Sequence, residues 1–114
     1  MAITKKKVVT SALFDFVDLP LIHEYGTETF GIRLADAFIA EIYSSLDTLS
    51  KEYLIHPECR HLVTKSKKYR NIILGSYLII YRITEMRIEV LRAFHGSRSP
   101  KTIAKTKKIT IDYT

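Results

Sequence analysis

The segment from residue 69 to residue 94 restricts the fold more tightly than any other part of the chain. Three runs, Tyr69–Leu74, Tyr77–Ile83 and residues 88–94, are dense in Ile, Val, Leu and Tyr, the side chains that suit a pleated, half-buried surface. Gly75-Ser76 separates the first two and reads as a two-residue hairpin turn, while residues 84–87 make a longer loop of four before the third. Each turn sets a register. Pairing Leu74 with Tyr77 and Ile83 with Ile88 collects Ile72, Leu74, Tyr77, Ile79, Tyr81, Ile83, Ile88, Val90 and Phe94 on one face of a meander. The other face takes Asn71, Ile73, Leu78, Ile80, Arg82, Glu89, Leu91, Ala93 and His95, with Arg82 opposite Glu89.

The half before the meander is helical. Ser11 is placed as an N-cap for an apolar segment that Pro20 breaks or kinks, and Gly26 is expected to close it. A longer helix is predicted over residues 27–49, where Leu34, Phe38, Ile42, Leu46 and Leu49 recur at three- and four-residue spacing. Residues 4–9, basic and ending in Val8-Val9, suit an edge strand. Between residues 50 and 68 periodicity dissolves into a connector carrying Pro57, Cys59, His56 and His61. The expected architecture is α+β, with two N-terminal helices on one face of a small, mainly antiparallel sheet; the opposite face is expected to be available to a partner, the alternative being that the connector or the tail from Ser99 to Thr114 folds over it.

Composition narrows the class. With 114 residues, 46% hydrophobic and 26% charged, the chain suits one soluble globular domain. The single cysteine excludes an internal disulfide framework and a cysteine-based zinc cluster, and no metal or other cofactor is expected. No apolar run approaches the ~20 residues of a spanning helix, and Asp15 and Asp18 interrupt any signal-like stretch, so a cytoplasmic protein without membrane contact is expected. The net charge of +6 is uneven: residues 1–60 hold 6 basic and 9 acidic side chains, residues 61–114 hold 12 and 3. One-sided charge of this kind points to an anionic partner.

Residues 69–83, Tyr-Arg-Asn-Ile-Ile-Leu-Gly-Ser-Tyr-Leu-Ile-Ile-Tyr-Arg-Ile, followed by residues 87–98 ending His95-Gly96-Ser97-Arg98, resemble the C-terminal signature of the RelE/ParE toxin family. An arginine-led strand, a Gly turn, an aromatic strand ending Tyr-Arg and a final strand running into His-x-x-Arg recur in that order, and the resemblance covers residues 5–98. It implies a toxin domain over residues 1–98, with residues 99–114 a basic C-terminal extension. It further implies the toxin of a type II toxin–antitoxin (plasmid stabilisation) pair, held inactive by a cognate antitoxin. A homodimer or a heterotetramer with the antitoxin are the assemblies it leaves open.

Two activities compete within that family. ParE-like members bind DNA gyrase without being enzymes themselves; RelE-like members enter the ribosome and cut messenger RNA without a metal. Leu78 stands where RelE-like members carry an arginine, and Ile72 where they carry a lysine, so the ParE branch is favoured. A nuclease would need a proton acceptor and cations for the charge that builds on the phosphorane, and His95, Arg98 and Arg82 are the candidates. For target or antitoxin binding the expected residues are Arg70, Ile73, Leu78, Ile80, Arg82, Leu91, His95 and Arg98. A non-toxic basic nucleic-acid-binding module is the third reading.

Overall fold

The computed structural model describes residues 3–112. Its elements are β1 (Lys7–Thr10), α1 (Leu19–Phe30), α2 (Ile32–Glu52), β2 (Tyr69–Leu74), β3 (Tyr77–Ile83), β4 (Arg87–His95) and a short α3 (Pro100–Ala104). A π-helical turn, Phe14–Asp18, leads into α1, and a 3-10 turn, Lys105–Lys108, follows α3. The fold is α+β. One sheet has the order β1-β4-β3-β2; β2, β3 and β4 form the antiparallel meander and β1 joins β4 in parallel at the edge.

The first helical segment starts as its N-cap chemistry dictates. The Phe14 N–H donates to Ser11 Oγ at 3.0 Å, while the Ser11 hydroxyl donates to the Leu91 carbonyl at 2.6 Å, tying the helix start to β4. The chain does not break at Pro20. It widens first: the Leu19 N–H reaches the Phe14 carbonyl, five residues back, and Pro20, which has no N–H to donate, enters in the first turn of α1. Nor does Gly26 end the helix, which runs on to Phe30. Gly26 serves a different need: a Cβ built on it would lie 3.3 Å from the Ala35 Cβ, so its lack of a side chain lets α1 and α2 cross closely. The reversal falls at Gly31, at φ 91° and ψ 158°, a conformation essentially restricted to glycine.

The α2 stripe is displaced by one position at its start. Ala35, Ile42, Leu46 and Leu49 are buried and Phe38 partly so, but Leu34 is exposed, and Ala35 takes the buried place against Gly26 of α1. The main core lies between the helices and one sheet face, with Phe14, Ile42, Leu49, Ile79, Tyr81, Ile88 and Val90 fully enclosed. The Tyr81 hydroxyl donates to the Tyr53 carbonyl at 2.7 Å, and burial raises its pKa well above that of an ordinary tyrosine.

The expected register holds through β2 and β3, where Leu74 faces Tyr77, Ile72 faces Ile79 and Arg70 faces Tyr81. It holds for the first part of β4, with Ile83 opposite Ile88 and Tyr81 opposite Val90, then slips. Leu91 is an extra residue, so Ile80 faces Arg92, Ile79 faces Ala93 and Tyr77 faces His95. The bulge sits where β1 ends. Ser11 satisfies the Val90 and Leu91 carbonyls there through its N–H and hydroxyl. Beyond it the two faces exchange occupants: Ala93 joins the helix-side core, and Phe94 moves to the opposite side.

That opposite side is not open. The connector and the C-terminal segment fold across it, enclosing Cys59, Leu62, Tyr69, Ile80, Leu91, Phe94 and Ile103, with Ile109 and Ile111 packed against them. The open face is therefore corrected and the alternative, a cover made by the connector and the tail, holds: Ile80 and Leu91 have no exposure at all. Two strips of chain, residues 53–68 and 99–112, supply the apolar cover that the two helices cannot. Ile73, at 60% exposure, stays outside it.

Candidate partner interface

Two of the expected surface residues, Arg70 and Arg82, are held by the protein's own backbone and acids. Arg70 donates to the carbonyls of Lys67, Leu54 and His56 at 3.0 to 3.2 Å, which pins the connector to β2. Arg82 lies 2.7 Å from Glu89 and also donates to the Ile109 carbonyl at 2.9 Å. Burial alone would lower the pKa of Arg82; hydrogen bonds to Tyr69 and Glu89, with the Glu89 charge, outweigh it and raise the value. Arg87 grips the other Glu89 oxygen at 2.7 Å and donates to the carbonyls of Ile111 and Asp112. Glu89 thus sits buried between two arginines whose remaining donors hold the C-terminal segment.

The nuclease candidates are not gathered. Tyr77 pairs with His95 at one end of the β3–β4 ladder and Arg82 with Glu89 toward the other. Five residues of strand, roughly 16 Å, therefore separate Arg82 from the His95 end. His95 and Arg98 do share a hollow of about 120 Å³, with Asp18, Leu21 and Phe94 in its wall. The His95 Nδ1 accepts the Ser97 N–H at 3.1 Å and lies 2.7 Å from the Ser97 hydroxyl, and its ring packs edge-on against Tyr77 at 5.6 Å. Asp18 receives the Arg92 guanidinium through two 2.8 Å bonds and the Ala93 N–H at 2.9 Å, so this carboxylate is consumed in fixing the π-helical turn to β4. Among the described residues no group of three or more His, Cys, Asp or Glu could hold a metal ion.

The bulge that turned His95 toward the helices gives it a different setting. Beside it runs a groove of about 370 Å³ between the helical hairpin and the β2–β3 turn, walled by Ile22, Tyr25, Phe30, Leu34, Phe38 and Tyr77. Tyr25, Phe30 and Leu34 are 57%, 65% and 60% exposed. Apolar side chains gathered this way at a concave surface mark a place where another chain docks. Sequence reasoning missed Tyr25 and Phe30 and took Leu34 for core. The available signal was Gly31, a residue free to turn the chain just before Leu34.

Among the described residues no helix is long and apolar enough to cross a membrane. Comparison with curated proteins gives no sequence match. A solved structure described as the chromosomal ParDE toxin–antitoxin system from P. aeruginosa superimposes with a TM-score of 0.65 at 14% identity, over 81% of this chain and 97% of the other. At that identity the likeness shows the fold. The family model of the ParE toxin of the type II toxin–antitoxin system parDE matches residues 18–100, from the π-helical turn through the His95-Gly96-Ser97-Arg98 end. The chain belongs to the ParE toxin family of type II toxin–antitoxin systems.

Proposed function

We propose that the protein arrests growth by binding DNA gyrase and is neutralised by a cognate antitoxin that seats an apolar helical face in the groove beside Tyr25, Phe30 and Leu34. The observation that carries the non-enzymatic reading is the dispersal of the nuclease candidates: Arg82 is spent on Glu89 and the Ile109 carbonyl, away from the His95 end. A ribosome-dependent nuclease would need its cations free to meet a phosphorane. Family membership supports the antitoxin, and the exposed groove supports its manner of docking. His95, Arg98, Leu78 and Ile73 are the remaining surface candidates for target contact.

The test is inducible expression in a bacterium, alone and together with the adjacent gene of the operon. Growth should stop in the first case and continue in the second. Leu34→Asp and Phe30→Asp should keep the arrest while weakening the rescue at least tenfold in a pull-down of the pair. Arrest that the neighbouring gene relieves equally well for these variants would move the antitoxin off the groove.

A further inference from the structure

The fold resolves the uneven charge into something sharper than two halves of a sequence. The connector, residues 53–68, carries four cations against one carboxylate, and the C-terminal segment, residues 99–112, also carries four against one. The rest of the chain holds ten of each. The whole net charge of +6 therefore belongs to the two strips that cover the second face of the sheet, and the helix-and-sheet body is neutral. These strips are one surface, because they share a single apolar cluster through Cys59, Leu62, Ile103 and Ile109.

All eight cations of this cover, Arg60, Lys65, Lys67, Lys68, Lys101, Lys105, Lys107 and Lys108, are exposed. None of them forms an ion pair among the described residues. Glu58, the connector's acid, is already occupied in accepting the Thr64 N–H at 3.1 Å. The Lys65–Lys68 turn is built to present charge: Lys67 takes a left-handed φ of 55°, uncommon outside glycine, and its carbonyl is held by Arg70. Lys68 also rests over the Tyr69 ring at 5.5 Å, and like charges held together without acidic partners raise the potential over a surface and draw in a polyanion.

We propose that this basic cover is a docking face for the phosphate backbone of duplex DNA, separate from the apolar groove on the helical side. Two features favour a duplex backbone over an unpaired strand or base-edge contacts, and competition by an acidic polymer tests the acidic-protein alternative. Among the described residues the exposed aromatic side chains Phe16, Tyr25, Phe30 and Tyr43 all lie in the helical half, so the described part of the cover offers unpaired bases no exposed Phe or Tyr ring to stack on. Seven of its eight cations are lysines, point charges that neutralise phosphates and do not read base edges by bidentate contacts. The tail half of this face lies almost entirely beyond the family match, which ends at residue 100. Half of the face, with Lys101, Lys105, Lys107 and Lys108, is thus contributed by chain outside the matched residues.

Fluorescence anisotropy of the full chain with a labelled mixed-sequence duplex, titrated over a range of salt, tests the assignment. Four to eight phosphate contacts predict a log–log salt slope of about −4 to −7. K101Q/K105Q/K107Q/K108Q and R60Q/K65Q/K67Q/K68Q should each weaken binding at least about tenfold and flatten the slope by roughly 2 to 4. The charge-matched control K5Q/K7Q/R33Q/K51Q should change affinity less than threefold, and circular dichroism should show all three variants folded. Equal weakening by the control would reduce the effect to net charge and overturn the proposal. So would absence of binding at low salt, or competition by poly-glutamate as effective as that by unlabelled duplex.

Discussion

Glu89 is the residue on which two parts of the molecule depend. Its carboxylate is buried between Arg82 and Arg87, and both arginines also carry carbonyls of the C-terminal segment. Removing the charge leaves two buried guanidiniums facing each other without an anion. Glu89→Gln should therefore cost about 3 kcal/mol in urea unfolding. A second residue sets an acid limit. Burial, the largest cause, and the nearby Arg70 lower the pKa of His56, with Glu52 opposing; its Nε2 has no hydrogen-bond partner and its ring meets Tyr81 edge-on. The unfolded chain then binds more protons than the folded one below pH ~6.5, so stability contributed by neutral His56 is present above that pH and lost as pH falls through it. His56→Gln should lose less stability than the parent between pH 7.5 and pH 5.5, read by denaturant midpoints at each pH. The Arg82–Glu89 contact was legible in the sequence, since two turns fixed the register that puts them opposite. Arg87 was not, because its carbonyl partners Ile111 and Asp112 lie 24 and 25 residues further along the chain and only the tertiary fold brings them back to β4.

At the scale of elements, the glycines and one bulge separate what could be read from what could not. Gly26 looked like a helix end, and Gly31 is the end; the difference is tertiary, since Gly26 is needed where α1 meets Ala35 and no local signal records that contact. A Cβ at Gly31 would meet nothing, so Gly31→Ala tests backbone conformation alone and should destabilise by about 1 to 3 kcal/mol, measured by thermal or chemical unfolding. Alternation along β4 reads smoothly through Leu91, and a one-residue slip costs little to write in sequence while it exchanges every side chain beyond it between the two faces. That slip is why Phe94 faces the cover and His95 meets Tyr77.

For the whole molecule, the second face of the sheet is closed by its own chain. Deleting residues 99–114 would uncover Ile80, Leu91 and Phe94 and strip Arg82 and Arg87 of carbonyl partners. The truncated chain should be far less soluble and bind a hydrophobic dye strongly, whereas an intact fold after truncation would mean the cover contributes little to stability. The neutral body, the apolar groove beside the helical hairpin and the basic cover then divide the surface into regions of distinct chemistry. The fold class and family were within reach of sequence because strand runs, turns and the His95-Gly96-Ser97-Arg98 end are local. The groove and the cover depend on how distant segments close over the sheet. The claim that this architecture acts on gyrase and not on RNA rests on where Arg82 and His95 lie, and one paired assay decides it. Purified protein should block ATP-dependent supercoiling of a relaxed plasmid by gyrase while leaving messenger RNA intact in a translating extract; cleaved message with supercoiling unimpaired would contradict the account.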